Sequence, residues 1–477
     1  MKNVVNEYMD VYKRSFQAFY TSLKEVNWKD FTIQMFYNLL ICVCFVFFCS
    51  LKEGSADLYM SVFIPIFVVN TLIILYSCLH QSSSKHALLT IFLLTTGTTL
   101  QIFMMPANSV ESLREANKYV LMAAVGVLGS LCVMPVVRNL SSKKKSEKNI
   151  IWFMLMVTLM TYLLLFFAGS EVSGTKAWLS IGNFGFQLTE ITKLFALFSV
   201  PLIINYEGFS EKQKSLVTVI MLCLHALFLV LLNELGTLMI VFLSSIITRL
   251  IFAKNKKFVI AEVLSYFLLV CIAISTSYGV YKMVPDYIRN PIVDESGNTK
   301  LNDAEKIVYR VAKIYPKIEH RINIFLRDEH LTSDDLHQIN NAEDALLQVS
   351  LFGSSRGSLA SVPEINCDFV FIYLVVRLGL VGTLLVFLSI TSMLSNVAIE
   401  GTRYNTRHSE YMISFIFVSS IVLQALLCAC SNLSLFPIVG LPFPFLSSGG
   451  TSLCVNLFMV LYITSFLRRG ENYEQKH

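Results

Sequence analysis

The chain has 477 residues, of which 55% are hydrophobic and only 15% charged. A soluble globular protein carries about 25% charged residues, so this chain has too little polar surface to stay dispersed in water. Its net charge of +5, on so apolar a background, argues against nucleic acid as a partner.

The first thirty residues mix both charge signs, and no small-residue cleavage site follows a short apolar core. They do not read as a signal peptide. Tyr12, Phe16, Phe19, Tyr20 and Leu23 recur at helical spacing, with Lys13, Arg14, Lys24 and Lys29 between them. This pattern fits a helix lying on the inner membrane surface or a cytosolic tail folded against the bundle. Beyond it, long charge-free stretches predict spans at 33–50, 58–78, 88–107, 119–137, 150–169, 190–206, 214–232, 235–253, 260–281, 369–392, 411–433 and 448–467. In hydrocarbon the backbone must satisfy its own hydrogen bonds, so these are expected to be helices. The expected fold is an all-α polytopic membrane protein, a bundle of about 12 transmembrane spans with a large extracytoplasmic loop. The expected parts are a cytoplasmic segment 1–32, N-terminal spans over 33–149, a first core 150–281, the loop 282–368, a last core 369–467 and a cytoplasmic tail 468–477. A short turn around Asn233 divides two of the spans.

Orientation comes from the loops. With the N-terminus inside, the inner loops hold Lys85, Arg138, Lys143, Lys144, Lys145, Lys148, Lys212, Lys214, Lys254, Lys256, Lys257, Arg403 and Arg407, and the tail holds Arg468 and Arg469. The short outer loops 51–57, 107–118, 169–189 and 432–447 hold few Lys or Arg. This is the positive-inside bias, and it places both termini in the cytoplasm. The eleven cysteines lie mostly in apolar runs, as at Cys42, Cys44 and Cys49, and none forms a CxxC pair with nearby His. They read as small hydrophobes, and their odd number argues against a disulfide framework.

Four clusters of polar residues stand near span ends. The first contains Lys176, Trp178, Gln187, Glu190 and Lys193. Glu190 opens a span, which favours the positive end of the helix dipole, and Lys193 is placed to pair with it one turn on. The second is Asn233-Glu234-Leu-Gly236-Thr237, another carboxylate at a span start. Both also read as plain helix caps and turns. The third is the loop core, with Arg321, Phe325, Arg327, Asp328, Glu329, Asp334, Asp335, His337, Gln338, Gly353, Arg356, Pro363, Glu364 and Asp368. Arg suits phosphate geometry, and a carboxylate in this core suits deprotonation of a sugar hydroxyl. Any one of these residues is more often a solvated surface residue. The fourth, Gly440 to Ser452, reads GLPFPFLSSGGTS. Its prolines break the helix, and Ser447, Gly449 and Gly450 open the next span, where free N–H groups suit an anion or the turn simply closes the bundle.

In this order the clusters resemble the shape, elongation, division and sporulation family, over roughly residues 150–467. GLPFPFLSSGGTS resembles the family run in which Pro-x-Pro-Phe leads to Ser-x-Gly-Gly-x-Ser. VPEINCDFVF, at 362–371, resembles its Pro-Glu-x-x-x-Asp-Phe stretch, and AWLSIGNFGFQLTEITKL and ELGT match two earlier signatures. Members of that family are polytopic peptidoglycan glycosyltransferases of the bacterial plasma membrane that work with class B penicillin-binding proteins. They usually have ten spans, so the resemblance puts two extra spans within 33–78.

The resemblance implies polymerisation of a lipid-linked disaccharide pyrophosphate, the lipid-linked peptidoglycan precursor, for division, elongation or sporulation. It implies a substrate site drawing on Lys176, Trp178, Glu190, Lys193, Glu234, Arg321, Gln338, Glu364, Asp368, Ser447, Gly449 and Gly450. Arg321, Lys176 and Arg327 are the local cations for the departing pyrophosphate. No metal site and no cofactor is evident, and a divalent cation is compatible with the chain. The sequence departs from the family at the presumed catalytic aspartate, ten residues beyond Arg321, where Leu331 stands. Gln338, Ala345 and Gly353 keep register without a gap. A local shift brings Asp334, Asp335 or Asp328 into the role. Otherwise the chain is a catalytically impaired relative that scaffolds a cell-wall synthase; a lipid flippase is a third reading. Leu188 for Pro, Thr189 for Ser, Glu234 for Asp, and Val376-Arg377 for a Glu-Glu pair are further departures. Arg377, a cation within a span, needs a partner, for which Glu364, Asp368 and Glu234 are the candidates.

Overall fold

The computed structural model describes residues 26–53, 56–80, 82, 84–103, 110–142, 147–172, 175–182, 184–291, 301–328, 331–347, 349–353, 362, 366–403 and 409–467. The surface helix read within the first thirty residues lies almost wholly outside them. Among the described residues, eleven helices are long and apolar enough to cross a membrane: α1 (Trp28–Glu53), α2 (Ala56–Leu79), α3 (Ser84–Phe103), α4 (Val110–Ser142), α5 (Glu147–Ala168), α6 (Leu188–Asn205), α7 (Glu211–Leu231), α8 (Leu235–Phe252), α9 (Lys256–Met283), α13 (Val370–Arg403) and α14 (Ser409–Asn432). A shorter apolar helix, α15 (Gly450–Phe466), supplies the twelfth expected span. Between α9 and α13 lie the short α10 (Asp286–Arg289), α11 (Asp303–Leu326) and α12 (Ser333–Leu346).

One segment departs from the all-α expectation. Strands β1 (Ser170–Val172), β2 (Thr175–Ile181) and β3 (Phe184–Gln187) form an antiparallel sheet in the order β1-β2-β3. The β2–β3 register pairs Trp178 with Gln187 and Ile181 with Phe184. Gly182 sits in the turn at φ +61°, a conformation open to glycine. A Gly-Asn pair between two short alternating runs is a hairpin signal, and it is present in the sequence at Gly182-Asn183.

The chain forms two compact units. The first holds α1–α4, α13, α15 and most of α14. There α1, α2 and α3 pack together around buried amides. Asn70 Nδ2 donates to Asn38 Oδ1 at 3.1 Å and to Thr95 Oγ1 at 3.2 Å, the kind of polar contact that holds helices together in lipid. α4 packs on α15 at Gly126, where an added Cβ would come within 3.0 Å of the Cys454 backbone. α13 is kinked at Gly379 (φ 72°, ψ −176°), a region essentially reserved for glycine. The amides freed by the kink are satisfied from the preceding loop: Leu380 N–H donates to Ser350 O at 3.2 Å and Val381 N–H to Leu351 O at 3.1 Å. Gly353 is required here, because a Cβ would strike the Arg377 carbonyl. The Arg377 guanidinium itself lies over the Tyr373 ring, 5.4 Å from its centroid, so an aromatic face meets this cation.

The second unit holds α5–α11, the sheet and the first part of α12. A capping box of Ser210 and Gln213 starts α7, and Asn233 turns the chain into α8 through a left-handed conformation. Arg249 and Glu262, both buried, form a two-point ion pair that joins the end of α8 to the start of α9. α11 runs along α9, and Pro316 lies within it. Just before that proline the Ser277 hydroxyl enters the helix ladder. It donates to Val311 O at 2.7 Å and accepts from Tyr315 N–H at 2.8 Å. A side chain set into the ladder beside a proline opens the helix locally while keeping the Val311 carbonyl and the Tyr315 N–H paired.

Candidate functional site

The second unit gathers the first two polar clusters. The β2–β3 hairpin delivers Gln187 to the start of α6, and the Asn233 turn delivers Glu234 to the start of α8. Gln187 Nε2 donates to Glu234 Oε1 at 3.0 Å, and Thr237 Oγ1 donates to Glu234 Oε2 at 3.3 Å. Glu234 occupies the N-cap of α8 but makes no side-chain cap bond, so the simple capping reading does not hold. Burial pushes its carboxyl up to about 7, aided by the nearby Glu190 charge and opposed by Gln187, Thr237 and Lys317. One turn into α6, Glu190 and Lys193 form an ion pair at 2.5 Å with both side chains out of solvent. The i, i+3 spacing seen in the sequence is realised as a buried pair.

Lys176 sits on β2, where its Nζ donates to the Phe166 carbonyl at 2.9 Å. Burial and the neighbouring Arg310 guanidinium lower its pKa. Trp178, half-buried, pairs across the sheet with Gln187. Arg321 lies half-buried on α11. Arg327 follows that helix as a left-handed, exposed cap. Asp328 is exposed, and its N–H donates to Asn323 O at 3.1 Å. Leu331 stands three residues on, its N–H donating to Asp328 O at 3.2 Å. Asp334 and Asp335 belong to the first turn of α12, with side chains outside the described residues, and Gln338 lies half-buried on the same helix.

Sequence reading missed one partner. α11 brings Lys317 into electrostatic contact with Glu234, and burial with the flanking Arg321 and Lys313 takes this lysine down to about 8. The signal was available in the spacing of Lys306, Arg310, Lys313, Lys317 and Arg321, three or four residues apart throughout.

The first unit holds the end of the third cluster and nearly all of the fourth. Residues 441–449 form an irregular loop whose carbonyls are held by the surrounding helices. Gln424 Nε2 donates to Pro442 O at 2.7 Å, Gln101 Nε2 to Leu446 O at 2.8 Å, and the Tyr119 hydroxyl to Phe445 O. Phe443 stacks on Phe371 at 6.2 Å. The Ser447 hydroxyl donates to Cys367 O at 2.8 Å and Ser448 N–H to Asn366 O at 2.9 Å. These two bonds fasten the Ser-Ser-Gly-Gly run to the residues before Asp368, which is half-buried and whose carbonyl accepts from Cys428 Sγ at 3.7 Å. Gly449 is the N-cap of α15, with no side-chain cap bond, and Gly450 opens that helix where a Cβ would strike Met122. Glu364 lies outside the described residues. Among the described residues no group of three or more His, Cys, Asp or Glu side chains forms a metal-binding cluster.

Among the described residues, eleven helices long and apolar enough to cross a membrane define a multi-pass helical membrane protein. A family model described as cell cycle protein, FtsW/RodA/SpoVE, matches residues 84–470, and the chain belongs to that family. The match begins at α3, so α1 and α2 precede it.

Among curated relatives, the chain is 22% identical to a probable peptidoglycan glycosyltransferase FtsW of Haemophilus ducreyi over 80% of this chain and 89% of that one. It is 22% identical to the protein of the same name from Pseudoalteromonas translucida, over 63% and 68% respectively. Among solved structures, a chain of a peptidoglycan synthase complex that coordinates polymerisation and crosslinking superposes with TM-score 0.55 at 15% identity, covering 82% of this chain and 99% of that one. The rod shape determining protein RodA of Thermus thermophilus gives TM-score 0.52 at 14% identity, over 81% and 97%. At these identities the structures speak for the fold.

Proposed function

We propose that the protein is a peptidoglycan glycosyltransferase that polymerises glycan strands from a lipid-linked disaccharide pyrophosphate. The observation that carries this reading is the family match over residues 84–470, which takes in all four polar clusters. The 4-hydroxyl of one sugar unit attacks C1 of the other. The hydroxyl proton passes to a carboxylate, and the bond from C1 to the polyprenyl pyrophosphate breaks with its electron pair leaving on the phosphate oxygen. Charge therefore grows on the leaving group, and fixed cations nearby stabilise it. Lys176 and Arg321 supply such cations, and Lys317 joins them. Asp334 is the first choice for the base, ahead of Asp335 and Asp328.

The basic short loops support termini in the cytoplasm and a 282–368 segment outside a bacterial plasma membrane. A class B penicillin-binding protein is the partner this reading calls for. One observation favours a second reading. Leu331, which cannot accept a proton, stands at the position of the presumed aspartate, and a relative without its base would act as a scaffold for a cell-wall synthase. The test is incubation of the purified protein, alone and with a class B penicillin-binding protein, with lipid-linked disaccharide. Glycan strands on a gel support the enzyme; none under either condition supports the scaffold.

A further inference from the structure

Val311 O and Tyr315 N–H are the two ends of one helical rung. In α11 the buried Ser277 hydroxyl of α9 stands between them, donating to the carbonyl at 2.7 Å and accepting from the amide at 2.8 Å. The next rung has no donor, because Pro316 lacks an N–H. Two consecutive rungs are thus interrupted at one point, and a helix bends where its ladder is interrupted. The half before this point is pinned. A capping box of Asn302 and Glu305 starts it, Arg310 donates to the Phe166 carbonyl at 3.3 Å, and the Tyr315 ring packs edge-on to Tyr278 with centroids 4.9 Å apart. The half after it begins with Lys317, half-buried and in electrostatic contact with Glu234. It then runs through exposed Glu319, His320, Ile322, Phe325 and Leu326 towards Asp328.

We propose that Ser277 is a positioning residue: by holding α11 open between Val311 and Tyr315 it sets the direction of the second half of that helix, and so places Lys317 against Glu234 and aims the segment from Asp328 onward. Without the hydroxyl, the natural partner of each freed backbone group is the other, because backbone groups out of water pair. The rung then closes and the second half turns about Pro316. Lys317, two residues beyond Tyr315, is carried away from Glu234. Ser277 acts through the helix. What this placement serves rests on the glycosyltransferase reading: a cation kept where charge develops on the leaving group, and a following segment that carries the candidate base.

Glu234 reports where Lys317 stands. Burial raises its carboxyl to about 7 against Gln187, with Glu190 adding to the rise and Thr237 and Lys317 opposing it, so loss of the lysine's charge moves it further up. Infrared titration of the full chain in nanodiscs follows the Glu234 carboxyl band, identified by its absence in Glu234→Gln. Lys317→Gln should raise the midpoint by roughly one pH unit, the scale of a nearby opposite charge. Ser277→Ala should raise it as well, and the double variant should go no higher than Lys317→Gln, because the serine acts through the lysine. Ser277→Thr, which keeps the hydroxyl, should titrate as the wild type does. Thermal unfolding shows that each variant is folded; if Ser277→Ala is not, Ser277→Cys, close in size with a far weaker hydrogen-bonding group, takes its place in the cycle. A folded Ser277→Ala that titrates as the wild type does overturns the proposal, as do single-variant shifts that add in the double variant, or a Lys317→Gln that leaves Glu234 unmoved. The second readout is strand synthesis with a class B penicillin-binding protein, which Ser277→Ala should slow about tenfold, the scale of one lost contact to a charged group. Wild-type rates in that variant overturn its part in the reaction. A wild type that makes no strands, with the titration cycle intact, counts against the glycosyltransferase reading and leaves the placement of Lys317 by Ser277 standing.

Discussion

Gln187 and Glu234, 47 residues apart, are joined by a 3.0 Å hydrogen bond that ties the end of the β hairpin to the first turn of α8. The carboxylate is buried against an amide and a hydroxyl, with Lys317 in electrostatic contact, and burial raises its pKa against all three.

The pH dependence of stability follows from that shift. Glu234 goes from an ordinary 4.5 to about 7 in the folded protein. The native state therefore holds the proton more tightly than the unfolded chain. Its contribution is full below about 4.5 and is lost as pH rises through about 7. Glu234→Gln should be the more stable protein above neutrality, by on the order of 3 kcal/mol, with a flatter profile between pH 5 and 7. Thermal unfolding in detergent across that range is the check. Parallel curves for the two proteins would mean that Glu234 titrates normally.

Glu190 and Lys193 form a different kind of pair. With both side chains buried, removal of either leaves a charge without its neighbour in low dielectric. Lys193→Met or Glu190→Gln alone should cost roughly 3–5 kcal/mol, and the double substitution should recover most of it. Equal losses in single and double variants would show that the two residues do not act together.

Much of this architecture was legible in the sequence. Charge-free runs marked all twelve apolar helices, because a lipid-spanning helix must be apolar over its whole length. The Asn233 turn and the Glu190–Lys193 spacing were also readable, being local. The sheet at 170–187 was not anticipated, although Gly182-Asn183 between alternating runs announces a hairpin; membrane composition drew attention to helices. Lys317 was missed because its partner Glu234 lies far away in sequence and only the packing of α11 brings them together. Contacts such as Gln101 to the Leu446 carbonyl or Ser277 within the α11 ladder are set by tertiary packing, and no local pattern encodes them.

Gly97 offers a test of the loop at 441–449. A Cβ there would collide with the Phe445 carbonyl and the Tyr119 ring, and Tyr119 donates to that same carbonyl. Gly97→Ala should destabilise the protein by about 1–3 kcal/mol through overpacking and reduce polymerisation. Unchanged melting and activity would show that the loop moves aside at no cost.

The direction of insertion is checked by labelling. A single cysteine in place of Lys256 should react only with a membrane-permeant thiol reagent in intact cells, and one in place of Asn302 should react with an impermeant reagent. Reaction at 302 from the cytoplasmic side alone would overturn the sidedness and the mechanism built on it.

The central claim is that this chain joins sugars using a carboxylate from the segment after α11. The most direct test compares polymerisation of lipid-linked disaccharide, with a class B penicillin-binding protein present, by the wild type, by Asp328→Asn, Asp334→Asn and Asp335→Asn singly, and by the triple variant. Asparagine keeps size and hydrogen bonding but cannot serve as the base. The account predicts strands from the wild type and a loss of at least a hundredfold in one single variant, Asp334→Asn first, at normal protein level and membrane insertion. Wild-type rates in the triple variant would contradict the assignment of the base to this segment. A wild type that makes no strands, together with a Leu331→Asp variant that does, would contradict the enzymatic claim and mark the chain as a relative that kept its groove and lost its base.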